Sequence, residues 1–66
     1  GKMKVATNYV PDESKYYLTE RKEYEVYFVG ARAIIVNDNK QETVIILDES
    51  GCAHLDYYCW DIIDEN

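Results

Sequence analysis

Sixty-six residues carrying 13 acidic and 7 basic side chains, with a formal net charge of −6, describe one small acidic domain. A chain of this size buries only about 60% of the surface its unfolded form exposes, which leaves little room for a deep active-site cleft and puts function on an exposed face. No run approaches the roughly 20 apolar residues of a membrane-spanning helix, and no signal-peptide pattern is present, so the sequence predicts a soluble, cytoplasmic protein.

Gly1-Lys2 before Met3 reads as a tag remnant, which sets the single domain at residues 3–66. Met3-Lys4-Val5 alternates and predicts a short edge strand. Asn8 to Lys15, with Pro11, Asp12, Glu13 and Ser14, has loop composition. A helix near residues 11–22, giving an α+β fold, competes with that loop. Pro11 at the start, Asp12 and Glu13 in the first turn, and Arg21 and Lys22 at the end suit the helix dipole. Val10 is a poor N-cap, and Tyr16, Tyr17 and Leu18 are consecutive rather than spaced, which favours the loop.

The organising stretch is Glu23 to Asp48. Tyr24, Val26 and Phe28 alternate with Glu23, Glu25 and Tyr27, the period of a strand. Gly30-Ala31 suits a two-residue type II′ turn, whose first position needs φ above zero. Arg32 to Val36 is short, nearly all apolar and flanked by turns, hence a second strand. Asn37-Asp38-Asn39-Lys40 is a turn, because Asn and Asp tolerate left-handed geometry and bond their own backbone. Thr43 to Leu47 mirrors the second strand. Asp48-Glu49-Ser50-Gly51 is a further turn cluster, and Cys52 to Asp56 predicts one tight helical turn. Tyr57 to Ile63 reads as a last strand, apolar on both faces and therefore central or closing. The expected fold is all-β, a small barrel of about five short strands. Its predicted core holds Tyr24, Val26, Phe28, Ile34, Val36, Ile45, Leu47, Trp60 and Ile62.

From Leu18-Thr-Glu-Arg-Lys-Glu-Tyr-Glu-Val26 onward the sequence resembles small SH3-like barrel proteins of phage and bacterial origin, in which a phrase of the type L-T-x-G-K-x-Y-x-V leads into the first strand. Ile34 to Lys40 and Thr43 to Leu47 continue the likeness, which covers residues 18–63. Arg21 stands where that pattern prefers glycine, and Asp48–Asp56 is a long insertion before the last strand. The resemblance implies an interaction module, and phage-borne relatives of this type often act on host proteins.

Charge is unevenly placed. Residues 41–66 hold seven acids, Glu42, Asp48, Glu49, Asp56, Asp61, Asp64 and Glu65, and no Lys or Arg. Residues 1–40 hold six acids and seven bases. An acidic half repels phosphate and attracts basic protein surfaces; a merely solubilising surface is the plainer alternative. Cys52 and Cys59 are too few for a disulfide scaffold and predict free thiols. Cys52, His54 and Cys59, with Asp56, lack the spacing of a structural zinc site, so no metal or cofactor is expected. Ser50, His54 and Asp56 supply triad residue types without a nucleophile elbow, so no catalysis is expected.

Seven Tyr, one Trp and one Phe exceed what so small a core needs. Exposed Tyr and Trp favour interfaces, because they offer contact area at low entropic cost. The sequence therefore predicts a partner-binding face of Asp48, Glu49, Asp56, Tyr57, Tyr58, Asp61 and Asp64 that meets a basic protein surface. Two readings follow. One is a protein-interaction module. The other is a nucleic-acid mimic that inhibits a host nucleic-acid-binding defence complex, in the manner of anti-CRISPR proteins.

Overall fold

The computed structural model describes residues 2–64. Its five antiparallel strands are β1 (Met3–Ala6), β2 (Tyr24–Val29), β3 (Arg32–Val36), β4 (Glu42–Ile45) and β5 (Asp61–Asp64). They form one sheet in the order β4-β3-β2-β1-β5. The all-β fold is as the sequence predicts, but the sheet does not close into a barrel. β4 and β5 stand at opposite edges. Closure needs a hydrogen-bonded ladder between the outermost strands. Here β4 and β5 are four residues each, and much of the connection between them is turn and 3-10 helix.

The competing helix near 11–22 is absent; only Asp12–Ser14 makes a single 3-10 turn. A second 3-10 turn, Ala53–Leu55, falls inside the tight turn expected over Cys52–Asp56. The two hairpin turns form by the chemistry of their residues. Gly30 takes φ 61° while Ala31 keeps a negative φ, as a type II′ turn requires. In the second, Asn37 Oδ1 accepts from the backbone N–H groups of Asn39 at 2.8 Å and Gln41 at 3.2 Å. Lys40 closes that turn at φ 67°.

Register decides the core. Tyr27 lies opposite Ile34, Phe28 opposite Ala33, and Ile35 opposite Thr43. The inner face of β2–β4 is therefore Tyr24, Val26, Ala33, Ile35, Thr43 and Ile45, all buried. Val5, Val10, Leu18, Cys52, Leu55 and Trp60 complete the core. Tyr24 and Trp60 meet edge to face, with ring centroids 6.0 Å apart.

Several expectations are corrected. Val36 is exposed, because the register turns Ala33 and Ile35 inward and leaves Val36 on the other face. Phe28 has inward parity but is 53% exposed, at the hairpin end of β2, where it lines an open cleft with Leu47 and Asp48. Leu47 is only partly buried, past the end of β4. Ile62 is half-exposed on β5, which begins at Asp61 rather than Tyr57 and is an edge strand, not a central one. Conversely, β1 is interior, between β2 and β5.

Arg21 adopts φ 63°, the left-handed region that suits glycine. Glycine is the residue that the pattern of the resemblance prefers at this position. Gly51 takes φ 88°, and a Cβ there would sit 2.0 Å from the Tyr57 carbonyl oxygen. At Gly30 a Cβ would meet nothing within 4 Å. In urea unfolding, Gly51→Ala is expected to cost more than about 3 kcal/mol or to prevent folding, Gly30→Ala about 1 kcal/mol, and Arg21→Gly is expected to be neutral or to stabilise by up to about 1 kcal/mol.

Candidate functional site

The two long loops of the chain, 7–23 and 46–60, meet at one end of the sheet. The first is folded back on itself. Thr7 Oγ1 donates to the Tyr9 carbonyl at 3.0 Å and accepts from the Tyr9 N–H at 3.1 Å, a local Thr turn that orients Tyr9. Glu20 accepts the Val10 N–H at 3.1 Å, and the Arg21 N–H reaches the Thr7 carbonyl at 2.7 Å.

The second loop is held by the Cys52–Tyr58 bridge. The Cys52 N–H donates to the Tyr58 carbonyl at 3.0 Å, and the Tyr57 N–H donates to the Cys52 carbonyl at 2.9 Å. This tight return puts both Asp56 (φ 55°) and Tyr57 (φ 68°) in the left-handed region. Such geometry costs on the order of 1–3 kcal/mol per non-glycine residue. It leaves Tyr57 and Tyr58 pointing to solvent, Tyr58 61% exposed.

A polar junction joins the loops. Ser14 Oγ donates to the His54 carbonyl at 2.7 Å. The Tyr17 hydroxyl lies 2.7 Å from His54 Nδ1 and 3.1 Å from Ser14 Oγ. The Tyr17 ring meets the imidazole edge to face at 5.6 Å, and Tyr16 meets Tyr17 edge to face at 4.8 Å. Tyr9 meets Tyr58 across the same seam, with ring centroids 4.9 Å apart. Partial desolvation, then the charge of Asp56, the neighbouring Tyr58, and Glu13 and Asp12 push the Tyr9 hydroxyl pKa up. An aromatic pair is thus set among carboxylates from both loops. Lys15 reaches Asp12 at 3.4 Å at its margin.

The sequence-predicted face is only partly gathered. Asp56, Tyr57 and Tyr58 sit together on the tight return. Asp48 and Glu49 lie beside it, where the Cys59 thiol points at their carbonyls at 3.7 and 3.9 Å. Two hydrogen bonds from Ser50, from its hydroxyl and its N–H, hold the Asp48 carboxyl below the usual range. Asp61 belongs to the sheet, opposite Ala6 on β1. The backbone of Asp64 ends β5, and its side chain lies outside the described part of the structure. Sequence reasoning missed Tyr9, Asp12 and Glu13. Their signal was a Tyr followed by acids in an evident loop, but nothing local says which loop it faces.

The other constellations are dispersed. Cys52 is buried and Cys59 exposed, both as free thiols. Among the described residues no three His, Cys, Asp or Glu side chains gather as metal ligands would. Ser50 is bonded to Asp48 and His54 to Tyr17, so Ser50, His54 and Asp56 form no relay. A shallow groove near 370 Å³ lies on the other side of the junction, between Tyr16, Tyr17, His54 and the Gln41–Val44 edge. No described helix is long and apolar enough to cross a membrane. Compared with protein-family models, with curated proteins and with solved structures, the chain matches none.

Asp38 anchors the first loop to the hairpin. It accepts from Lys22 at 2.6 Å, Thr19 at 2.7 Å and the Tyr24 hydroxyl at 2.9 Å. Burial pushes its pKa up, but the bonds from Lys22, Thr19 and Tyr24 outweigh that and hold it below its ordinary 3.8. A depressed carboxyl stabilises the fold fully above about pH 3.8, and that contribution is lost as pH falls through the lower folded value. Lys22 is raised, chiefly by its bond to Asp38, so its contribution persists at neutral pH and is lost only as pH rises through a value above 10.5. Asp38→Asn is therefore expected to cost about 1–3 kcal/mol at pH 7 and to flatten the loss of stability below pH 3.8, read from urea midpoints across pH.

Proposed function

We propose that this chain is a small, non-enzymatic interaction module that docks on a basic protein surface through an acidic, tyrosine-rich face. The carrying observation is the Tyr9–Tyr58 ring pair, 4.9 Å between centroids, with Asp12, Glu13 and Asp56 close enough to raise the Tyr9 pKa. Aromatic rings provide rigid contact area, and the carboxylates around them select cationic side chains and steer them in. The left-handed backbone at Asp56 and Tyr57 supports the same reading, because strain that packing over-determines gathers where a side chain must be displayed.

The acidic residues of this face come from both halves of the chain, so the working set is Asp12, Glu13 and Asp56 with Tyr9, Tyr57 and Tyr58. Asp48 and Glu49 extend it along the neighbouring turn. Affinity for Lys/Arg-rich peptides and for basic proteins captured from lysate is expected to fall as salt rises. Tyr58→Ala is expected to weaken it about tenfold or more. Asp12→Asn, Glu13→Gln and Asp56→Asn together are expected to weaken it more than any one alone and to reduce the salt dependence. Unchanged affinity and salt slope in a folded triple variant would leave the acidity as a solubilising surface only.

A further inference from the structure

The sheet has a second apolar face, away from the core. By the register of β2, β3 and β4 it is a grid of three rows. Val36 and Glu42 pair at one end, and Glu25, on the same face of β2 as Tyr27, lines a shared cleft with Val36 beside them. Tyr27, Ile34 and Val44 form the middle row. Val29 and Arg32 pair at the other end, and Ile46, just past β4, lines a shared cleft with Arg32. Ile34 at the centre is 6% exposed, whereas Val29, Val36, Val44 and Ile46 are all more than 40% exposed. Tyr27 leans over the grid and donates to Glu42 at 2.6 Å. Half-exposed Val and Ile side chains around a buried one make a contiguous patch, and such patches mark association surfaces.

The charges at its ends identify the occupant. One end row carries two carboxylates, and the other carries the Arg32 guanidinium. Lys4, which pairs with Glu25 on β1 and is 4.0 Å from Glu23, and Lys40, which lines the same cleft as Glu25 and Val36, adjoin this end, where Glu23, Glu25 and Glu42 leave carboxylates in excess. Two copies can pack these faces about a two-fold axis in two strand-aligned ways. An axis along the strands stacks Arg32 on Arg32 and carboxylate on carboxylate. An axis across the strands, through the row Tyr27–Ile34–Val44, sets Arg32 of each copy over Val36 of the other, between Glu25 and Glu42. Only the second is electrostatically self-complementary, as a closed two-fold interface must be.

We propose that this face binds a second copy of the chain, as an antiparallel face-to-face dimer centred on Ile34. The proposal is independent of the acidic loop face. The grid measures roughly 10 Å across the strands and roughly 14 Å along them from standard strand spacings. That is small beside stable interfaces, so dissociation constants of about 10 μM to 1 mM are expected.

Sedimentation equilibrium of the full chain from about 10 μM to about 1 mM tests this range. The wild type should shift from monomer to dimer, and Val44→Asp should remain monomeric. Val44 is 45% exposed, so the fold should survive, which circular dichroism checks. A charge exchange tests the axis. Arg32→Glu alone, and Glu25→Lys with Glu42→Lys alone, should each fail to self-associate, because each puts like charges at both ends. Mixed together they should form a heterodimer, since opposite charges then meet at both ends. Asp12→Asn, Glu13→Gln and Asp56→Asn should leave self-association intact. A wild type monomeric throughout, a dimer untouched by Val44→Asp, or a mixture no more associated than its parts would overturn the proposal.

Discussion

The tertiary structure depends on one polar junction, the bond from Ser14 Oγ to the His54 carbonyl with Tyr17 bridging to the His54 ring. Two loops remote in sequence bury Val10 and Leu18 from one and Cys52, Leu55 and Trp60 from the other in the shared core, and the junction adds the polar contacts between them. Buried polar atoms at their seam must be satisfied, and this arrangement satisfies them mutually. Ser14 is itself buried, so truncating it would leave the junction short of a donor in a dry place. Leu18 and Leu55, both fully buried, then close the core beneath the seam. The aromatic face lies across the same seam: Tyr9 comes from one loop and Tyr58 from the other.

The open sheet and the joined loops divide the surface into two regions of different physics. The loop end is acidic and aromatic, where long-range attraction and screening by salt dominate. The outer sheet face is apolar with opposite charges at its two ends, where burial of Val and Ile supplies the free energy and the charges supply orientation. β3 makes this possible. Ala33 and Ile35 fill the core, while Ile34 and Val36 on the opposite parity are apolar as well. A strand in a sheet with one solvated face ordinarily alternates apolar with polar.

Local sequence specifies the meander strands and their turns, though not β5, which begins at Asp61 rather than Tyr57. The meander, its two turns, the tight turn near Ala53 and the absence of a long helix among the described residues all follow from local causes: period-2 alternation, glycine where φ must be positive, and Asn37 bonding its own turn. It did not settle which side of β3 faces in. Arg32-Ala-Ile-Ile-Val has apolar residues on both parities, so a one-residue slip would exchange Ile34 and Val36 for Ala33 and Ile35, opposed locally only by turning Arg32 inward with them. Only pairing with Thr43 and Ile45 resolves the choice, because those partners are held by the Asn37 turn.

The candidate site divides in the same way. Asp56, Tyr57 and Tyr58 were legible because acids and aromatics adjoin in the chain. Tyr9, Asp12 and Glu13 were not, because their membership rests on contact between loops some forty residues apart, as Ser14 and His54 are. Local propensity carries no information about such a contact, whose cost is loop closure and whose return comes only once the core has formed. The chain's composition determined that an acidic, tyrosine-rich surface would exist. Tertiary structure decided which tyrosines pair, which carboxylates surround them, and that the sheet stays open with a second apolar face.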